Sequence, residues 1–356
     1  MNNEIVIVIN PGSTSTKIAI YNRKTKLGSK TIGHYQSDLD QFERIGDQLE
    51  YRFEIIRDTV NSFFENNTYK VVGVVGRGGI VKPLSGGTYK INSEFLYDAA
   101  NGTYGDHASN LGSLLADRLK DEFGLKDSYT VDPVSSSNIS PIAEISGVPG
   151  IKRNGRGHPL NMKMTARKVA LMQNIPFEKT NYVVAHLGGG ISIAHIQGGK
   201  IVDINDALLG MGPFSPNRAG AIPLRGIMKL CTEMTYDEVA NLLSKNSGLK
   251  GYLGKEDLRD VIQLVESGHE NATLIYNAFV YQISKEIGAY FAATKGQAQA
   301  IIATGGIAFN EKFITDLKSY VGCLTEFHVY PGENEMEALA EGAFRVIDKV
   351  EIAQTY

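Results

Sequence analysis

The strongest constraint on the fold is an internal repeat. "EIVIVI" opens a run of three alternating apolar strands separated by tight turns, and "NYVVAHLGGGISIAHIQGGKIVDIN" over 181–205 has the same pattern. In each half, a helical stretch, an apolar strand that ends in glycines, another helix and another strand follow. A repeat of about half the chain indicates duplication of a whole domain rather than a solenoid of short units.

The order of these elements predicts the fold class. Three strands in an antiparallel meander, followed by strands that alternate with helices, predict a mixed sheet with helices on its faces. We therefore expect an α/β protein of two duplicated βββαβα lobes that flank an interdomain cleft. We place the N-terminal lobe at 1–152 plus a C-terminal helix at 336–356, and the C-terminal lobe at 153–335.

Composition and charge exclude several classes of protein. A chain with 42% hydrophobic and 21% charged residues has the composition of a globular protein, and no stretch approaches the ~20 apolar residues that span a bilayer. The net charge of −3, without a polybasic run, predicts neither nucleic acid nor membrane as a partner. Cys231 and Cys323 supply neither a disulfide framework nor a zinc site, and no basic signal region is recognisable. We expect a cytoplasmic protein.

Two turns of the repeat are candidates for phosphate binding. "NPGSTSTK" is dense in hydrogen-bond donors, and both an ordinary turn and an anion cradle fit it. Ser13, Ser15 and Lys17 share one face if the segment continues as a strand, and Thr14 belongs to the same donor cluster. The second turn, Gly188–Gly190, exposes backbone N–H groups without side-chain obstruction. Neither common nucleotide-binding glycine fingerprint occurs in the chain.

Seven motifs together resemble the acetokinase family, which belongs to the superfamily of actin, sugar kinases and heat-shock-chaperone ATPases with ribonuclease H-like lobes. In chain order they are "INPGSTSTKIAIY", "VVGRGGIVKPLSGGTY", "GDHASNLG", "VAHLGGGISIAH", "GPFSPNRAGAIP", "IIATGGIAFNE" and "YPGENEMEALAEGA". The resemblance extends from Ile9 to Ala343. It implies a homodimer or higher homo-oligomer that uses ATP and Mg²⁺ to phosphorylate a short-chain or branched-chain, butyrate-like carboxylic acid.

Four side chains are candidates for the acceptor end of the site: Arg77, Arg218, His158 and His186. The two arginines lie in the glycine-flanked turns "GRGG" and "SPNRAG" rather than on amphipathic helix faces. A guanidinium group matches carboxylate and phosphate oxygens bidentately. By resemblance, Arg77 holds the carboxylate of the acid and Arg218 stabilises the transferring phosphoryl group. We expect the remaining histidines, His107 among them, to be structural residues outside the site.

The resemblance also implies a metal side and an adenosine-binding turn. Asn10 and Glu335 match the residues of the metal side, and Mg²⁺ needs only one or two protein carboxylates alongside phosphate oxygens. Glu335 would also suit a helix start without any metal. Gly305 and Gly306 in "ATGGIAFN" match the adenosine-binding turn, although glycine at such a turn also serves strand-to-helix packing.

Asp132, in "VDPV", separates the leading hypothesis from its alternatives. A kinase that acts on a hydroxyl group needs a carboxylate here as a general base, whereas a carboxylic acid with a pKa of about 4 is already ionised near pH 7. We therefore predict direct, reversible, in-line transfer to a carboxylate, with Asp132 orienting an arginine. The alternatives are a small-molecule kinase with Asp132 as its base, and an actin-like ATPase that is not a kinase.

Two stretches depart from the family pattern near the expected acyl end of the substrate: "SSSN" at 135–138 stands where acidic residues usually follow "DPV", and the other is the residue before a histidine. Where the family usually has Phe before the histidine of "FHAL", this chain has Gly157 in "GHPL". A phenylalanine side chain buries on the order of 150 Å² or more. Unless a neighbour fills that space, we expect a larger acyl pocket and a preference for acids larger than acetate.

Overall fold

The computed structural model describes residues 3–65, 67–136 and 139–356. The chain forms two compact units, the first comprising Met1–Ser137 with Asn334–Tyr356 and the second Asn138–Glu333. Each unit contains one mixed sheet with helices packed against it. The predicted α/β fold class with a duplicated architecture is therefore confirmed.

The strands and helices follow one another in the predicted order. The strands are β1 (Glu4–Pro11), β2 (Ser15–Tyr21), β3 (Lys26–Gly33), β4 (Lys70–Gly76), β5 (Thr88–Lys90), β6 (Tyr129–Val131), β7 (Asn181–Leu187), β8 (Ile191–Gln197), β9 (Lys200–Ile204), β10 (Ala300–Gly305), β11 (Glu326–Pro331) and β12 (Gln354–Thr355). The helices are α1 (Gln36–Leu39), α2 (Leu49–Phe64), α3 (Ser93–Asn101), α4 (Leu111–Glu122), α5 (Pro141–Glu144), α6 (Pro159–Met172), α7 (Leu224–Glu233), α8 (Tyr236–Lys245), α9 (Gly248–Leu253), α10 (Leu258–Glu266), α11 (Glu270–Ala293), α12 (Glu311–Val321) and α13 (Glu335–Ile347). Short 3-10 turns cover Ile45–Gln48, Ala108–Asn110, Phe177–Lys179 and Gly306–Phe309.

The two sheets share one topology around a central strand. In the first, with order β12-β5-β6-β4-β1-β2-β3, β1 pairs antiparallel with β2 and parallel with β4. In the second, with order β11-β10-β7-β8-β9, β7 pairs antiparallel with β8 and parallel with β10. Both central strands are buried along nearly their whole length, as expected for a strand covered on both faces.

This topology places the candidate residues at the carboxyl ends of parallel strands. Asn10 lies near the end of β1, Arg77 directly follows β4, and Asp132 directly follows β6. In the second unit, His186 lies near the end of β7, and Gly305 ends β10. Parallel neighbours end at the same edge of a sheet, which is where α/β folds usually bind ligands.

Two features are absent from the described residues. None of the helices found there is both long and apolar enough to cross a membrane. The same part of the chain contains no group of three or more His, Cys, Asp or Glu side chains with the geometry to hold a metal ion.

Candidate functional site

Three candidate residues of the first unit meet at the edge of its sheet. Asn10 Nδ2 donates a hydrogen bond to Glu335 Oε2 at 3.0 Å, and Arg77 Nη1 forms an ion pair with Glu335 Oε1. Glu335 is also the first residue of α13, where the helix dipole favours a carboxylate. Arg77 is buried, and its Nε has no hydrogen-bond partner among the described residues, so one donor of the guanidinium fork is available to a further acceptor.

Close backbone packing fixes the position of Arg77. A Cβ atom on Gly76 would lie 1.9 Å from the carbonyl oxygen of Gly112, and one on Gly112 would lie 2.3 Å from that of Arg77. The end of β4 therefore rests directly on the first turn of α4, a contact that only glycines permit. The motif "GRGG" contributes Gly76 and Arg77 to this contact, and the motif "GDHASNLG" contributes Gly112.

His107 belongs to the surroundings of Arg77, which the sequence analysis missed. Burial lowers the pKa of the His107 imidazole, and the positive charge of Arg77 lowers it further, against an opposing effect of Asp106. His107 Nδ1 lies 2.8 Å from Ser109 Oγ, which fixes the ring orientation. Its position inside the motif "GDHASNLG" could have identified it as part of these surroundings.

The first turn carries its hydroxyl groups at the surface. Ser13 and Thr14 are exposed between β1 and β2. Ser15 and Lys17 alternate along β2 with the fully buried Thr16, so they lie on the opposite side of the strand from it. Backbone and side-chain donors are thus grouped at the tip of this hairpin.

A buried arginine beneath this turn was also missed. Arg52 of α2 is 1% exposed, and its guanidinium group donates to the backbone oxygens of Gly12 and Ser13, at 2.9 Å each. It stands four residues before Ile56 and eight before Val60, on the buried stripe of the helix. In the sequence, the sign of this role was a charged residue on the apolar face of a predicted helix.

Asp132 has an unusual backbone conformation. Its φ is +40°, a region that costs a non-glycine residue roughly 1–3 kcal/mol and that recurs at functional sites. Its Oδ1 accepts a hydrogen bond from the N–H of Gly87 at 2.8 Å, and its own N–H donates to Gly87 O at 2.9 Å. These bonds tie the end of β6 to the loop before β5.

The two candidate histidines of the second unit form a stacked pair. The His158 and His186 rings lie 3.8 Å apart, with 6° between their planes. Asn161 Nδ2 lies 3.0 Å from His186 Nδ1, and Ser192 Oγ lies 3.0 Å from His158 Nδ1. Because an amide N–H donates, His186 Nδ1 accepts, and the neutral ring carries its proton on Nε2, 3.9 Å from Glu333 Oε1. Asn161, buried on α6, is a further residue that sequence analysis missed.

Arg218 lies against the glycine turn of the second unit. A Cβ atom on Gly190 would lie 2.3 Å from Arg218 Nη1 and 3.5 Å from His158 Cε1, so the guanidinium group occupies the space that a side chain would need. Arg218 Nη1 donates to the backbone oxygen of Ala207 at 2.5 Å. The structure thus brings together three predicted elements, which are the glycine turn, Arg218 and the histidine pair.

Ser215 connects this arginine to the turn. Its Oγ donates to Gly189 O at 2.7 Å and accepts from the backbone N–H of Arg218 at 3.2 Å.

Burial lowers the pKa of the Arg218 guanidinium, against an opposing effect of Asp206, and arginine nevertheless stays protonated. Its Nε is buried without a hydrogen-bond partner among the described residues. Arg218 also lines a small, open recess together with Asp206, Leu208 and Pro213.

The two glycines of "ATGGIAFN" differ in their surroundings. Gly305 has a φ of +91°, and a Cβ atom there would lie 2.3 Å from the backbone oxygen of Leu187. Packing onto the end of β7 therefore requires this glycine. Gly306 has no atom within 4 Å of the Cβ position, so its backbone offers an open surface.

The surroundings of Gly157 meet the exception stated with the expectation of a larger acyl pocket, because neighbouring side chains lie close to the Cβ position. A Cβ atom there would lie 2.6 Å from Ile204 Cδ1 and 2.7 Å from Ser192 Oγ. These neighbours leave no room for a Cβ atom at this position. Gly157 instead allows Ser192 to approach His158.

Comparisons with known proteins identify the family of this chain. The model of the acetokinase family matches residues 143–343. The chain is 40% identical over 355 residues to a probable butyrate kinase from Clostridium botulinum strain Alaska E43 / Type E3, covering 99% of both chains, and equally similar to that of strain Eklund 17B / Type B.

Solved structures confirm the fold. Porphyromonas gingivalis acetate kinase superposes with a TM-score of 0.77 at 18% identity, over 96% of this chain and 99% of that one. A propionate kinase from Francisella tularensis subsp. tularensis SCHU S4 gives a TM-score of 0.74 at 20% identity, over 95% and 98%. The resemblance carried by the seven motifs and the expected enzyme class, a kinase, are both confirmed: the chain belongs to the acetokinase family.

Proposed function

We propose that this chain transfers the γ-phosphoryl group of ATP to the carboxylate of a short-chain or branched-chain, butyrate-like acid. An oxygen of the carboxylate forms the new P–O bond, the bond between the γ-phosphorus and the bridging oxygen of ATP breaks, and ADP leaves. The products are an acyl phosphate and ADP, and the same steps run in reverse. The names of the curated relatives, probable butyrate kinases, support this class of acid.

The observation that carries the proposal is the unpartnered Nε of Arg218 beside a turn of three glycines. Phosphoryl transfer depends mainly on positioning and on neutralising charge at the transferring group. A buried guanidinium donor without a protein acceptor has the chemistry to bind a phosphate oxygen. The open side of Gly189, where no atom lies within 4 Å of the Cβ position, gives such an anion access to the backbone.

The first unit supplies residues that fit an acid and a divalent cation. The unpartnered Nε of buried Arg77 suits a carboxylate oxygen. Asn10 and Glu335 place an amide and a carboxylate side by side, the hard oxygen donors that Mg²⁺ takes. When bound, Mg²⁺ supplies positive charge to the phosphate oxygens. Because Glu335 is already shared with Arg77, we expect the binding of metal to compete with this ion pair.

The imidazole pair supports the role of Arg218 rather than replacing it. Two protonated rings at 3.8 Å would repel each other, which disfavours a doubly charged pair. The neutral form of His186 presents Nε2–H as a donor, with the ring fixed by Asn161. We propose that this donor helps to hold the transferring group.

A carboxylate acceptor explains the surroundings of Asp132 better than a hydroxyl acceptor. A hydroxyl needs a base that can reach its proton, whereas one oxygen of Asp132 is engaged by the Gly87 backbone. An ionised acid needs no base. We therefore propose that Asp132 fixes the loop between β4 and β5, and thereby Arg77 at the start of that loop.

The test is direct detection of the acyl phosphate. The protein is incubated with MgATP, hydroxylamine and acids of two to six carbons, and hydroxamate and ADP are measured together. We expect one hydroxamate per ADP, with the highest kcat/KM among acids larger than acetate. ATP hydrolysis without hydroxamate would contradict the proposal, and transfer to glycerol or sugars in a parallel series would favour the hydroxyl alternative.

A further inference from the structure

The guanidinium group of Arg52 is bound entirely by uncharged acceptors under the first turn. Nη1 donates to Gly12 O at 2.9 Å and to Thr16 Oγ1 at 3.1 Å, and Nη2 donates to Ser13 O at 2.9 Å. Nε and Nη2 donate to Gln48 Oε1 at 3.0 and 2.8 Å. Nη1 and Nη2 thus donate hydrogen bonds to consecutive carbonyl groups of the turn between β1 and β2.

These contacts determine the direction of the peptide groups. In a trans peptide the C=O and N–H bonds point to opposite sides. Because the carbonyls of Gly12 and Ser13 point inward to Arg52, the N–H groups of Ser13 and Thr14 point outward. The exposed side chains of the same two residues add hydroxyl donors. Successive outward N–H groups form a concave anion-binding site.

Arg52 also leaves its charge beneath this site. Burial lowers the pKa of its guanidinium, yet arginine remains protonated. Its hydrogen-bonding acceptors are carbonyl, amide and hydroxyl oxygens, so no carboxylate among them cancels the charge. A buried cation retains most of its field over a few ångströms because little water screens it.

We propose that Arg52 is the positioning residue of the phosphate-binding turn. It holds the carbonyls of Gly12 and Ser13 inward, directs the N–H groups of Ser13 and Thr14 at a phosphate of ATP, and stabilises that anion through its own charge. Arg52 acts from behind the turn and does not touch the ligand. This inference rests on the proposed function, since it takes the anion to be a phosphate of ATP.

Two variants separate charge and positioning from mere stability. Gln48→Glu keeps the acceptors for Nε and Nη2 but neutralises Arg52, without removing any bond of the turn. Arg52→Lys keeps the charge but loses the fork that spans two carbonyls. Arg57→Met is the matched control, because Arg57 lies on the same helix, half-buried, and pairs with Glu54 rather than with the turn.

The experiment measures Kd for MgATP and for inorganic tripolyphosphate by calorimetry without acid, together with the thermal midpoint. We expect both variants to bind both ligands about 10-fold more weakly, as for loss of one charge-assisted contact. The midpoint of Gln48→Glu should not fall, and Arg57→Met should bind like the unaltered protein. If both variants bind within twofold of the unaltered protein while only stability changes, Arg52 is a structural residue and the inference is wrong.

The outcome is distinguishable from that of the proposed function. If the protein binds MgATP in a manner that depends on Arg52 but forms no hydroxamate with any acid, the inference stands and the proposed function fails. If hydroxamate forms and the ATP KM is unchanged in both variants, the proposed function stands and the inference fails. If the unaltered protein binds neither MgATP nor tripolyphosphate, both fail.

Discussion

The two hairpin turns have the same place in the topology but opposite constructions. Each follows the central strand of its sheet and leads into an antiparallel partner. The first turn is rich in hydroxyl side chains and is held from behind by Arg52. The second turn consists of three glycines. Its backbone accepts a hydrogen bond from Ser215, and the guanidinium group of Arg218 packs against it.

The difference fits the two separate roles that we propose for the turns. In the first turn the cation is enclosed by its own hydrogen bonds, so it orients donors without meeting the ligand. In the second turn the cation keeps an unpartnered donor, so it is available to the ligand itself. We expect substitutions near the first turn to weaken binding, and those near the second to lower kcat.

The largest effect that we expect comes from Arg218→Ala. Loss of a preorganised charge at the transferring group typically lowers kcat by ~10² to 10³. The Kd for MgATP should change little, because backbone groups still bind the phosphates. Steady-state kinetics and calorimetry test this, with exposed Arg225→Ala as the control. Near-normal kcat with a raised KM for the acid would instead assign Arg218 to binding of the acid, and would erase the contrast between the turns.

Adjacent glycines of the second turn provide a sharper comparison. Gly190→Ala would place a methyl group 2.3 Å from Arg218 Nη1 and displace it, whereas Gly189→Ala meets no atom within 4 Å. Since small displacements of catalytic groups are costly, we expect kcat to fall by about 10-fold or more in Gly190→Ala. Gly189→Ala leaves Arg218 in place but puts a methyl group on the open side of the turn, so we expect a raised KM for MgATP with a smaller change in kcat, and both variants should fold normally. Equal kcat values in the two variants would show that the position of Arg218 at Gly190 is not important.

The sequence predicted those features that depend on periodic pattern and on local motifs. The repeat, the order of strands and helices, and the family follow from patterns that persist over the whole chain. The meeting of Asn10 with Glu335 was available only from the resemblance, because these two residues are 325 positions apart. No periodicity links residues so distant.

Features that depend on side-chain packing could not be predicted. Arg52 occupies an apolar stripe of α2, where pattern alone does not distinguish a tolerated charge from a positioning residue. Gly157 suggested an empty pocket, but Ile204 and Ser192 leave no room for a Cβ atom there, which only the three-dimensional packing reveals. The stack of His158 on His186 likewise depends on the register of β7 against α6.

The smallest expected effect concerns pH and the histidines of the two units. His34 Nε2 lies 2.9 Å from Thr16 Oγ1, beside Arg52, and His195 Nε2 lies 2.7 Å from Asn181 Oδ1. Burial lowers the pKa of both imidazoles. For His34 the charge of Arg52 lowers it further against Asp38, whereas for His195 the carboxylate of Asp203 only opposes the effect of burial.

The direction in which stability changes with pH follows from these pKa shifts. Because the pKa in the folded state lies below about 6.5, the unfolded chain binds more protons as the pH falls below that value. The stabilisation is therefore complete above pH ~6.5 and is lost as the pH falls toward the folded-state pKa, at no more than about 1.4 kcal/mol per pH unit for each histidine. The repulsion by Arg52 should contribute to the loss around β2, whereas no such repulsion acts around β8.

Amide hydrogen exchange of β2 and β8 between pH 7.5 and 5.5, corrected for intrinsic rates, measures each region separately. His34→Gln should flatten the pH dependence of protection in β2 and leave β8 unchanged, while His195→Gln should do the reverse. Titrations common to both variants cancel in the difference between them. A pH dependence in β2 that persists in His34→Gln would mean that another group titrates there, and would remove the electrostatic distinction between the two hairpins.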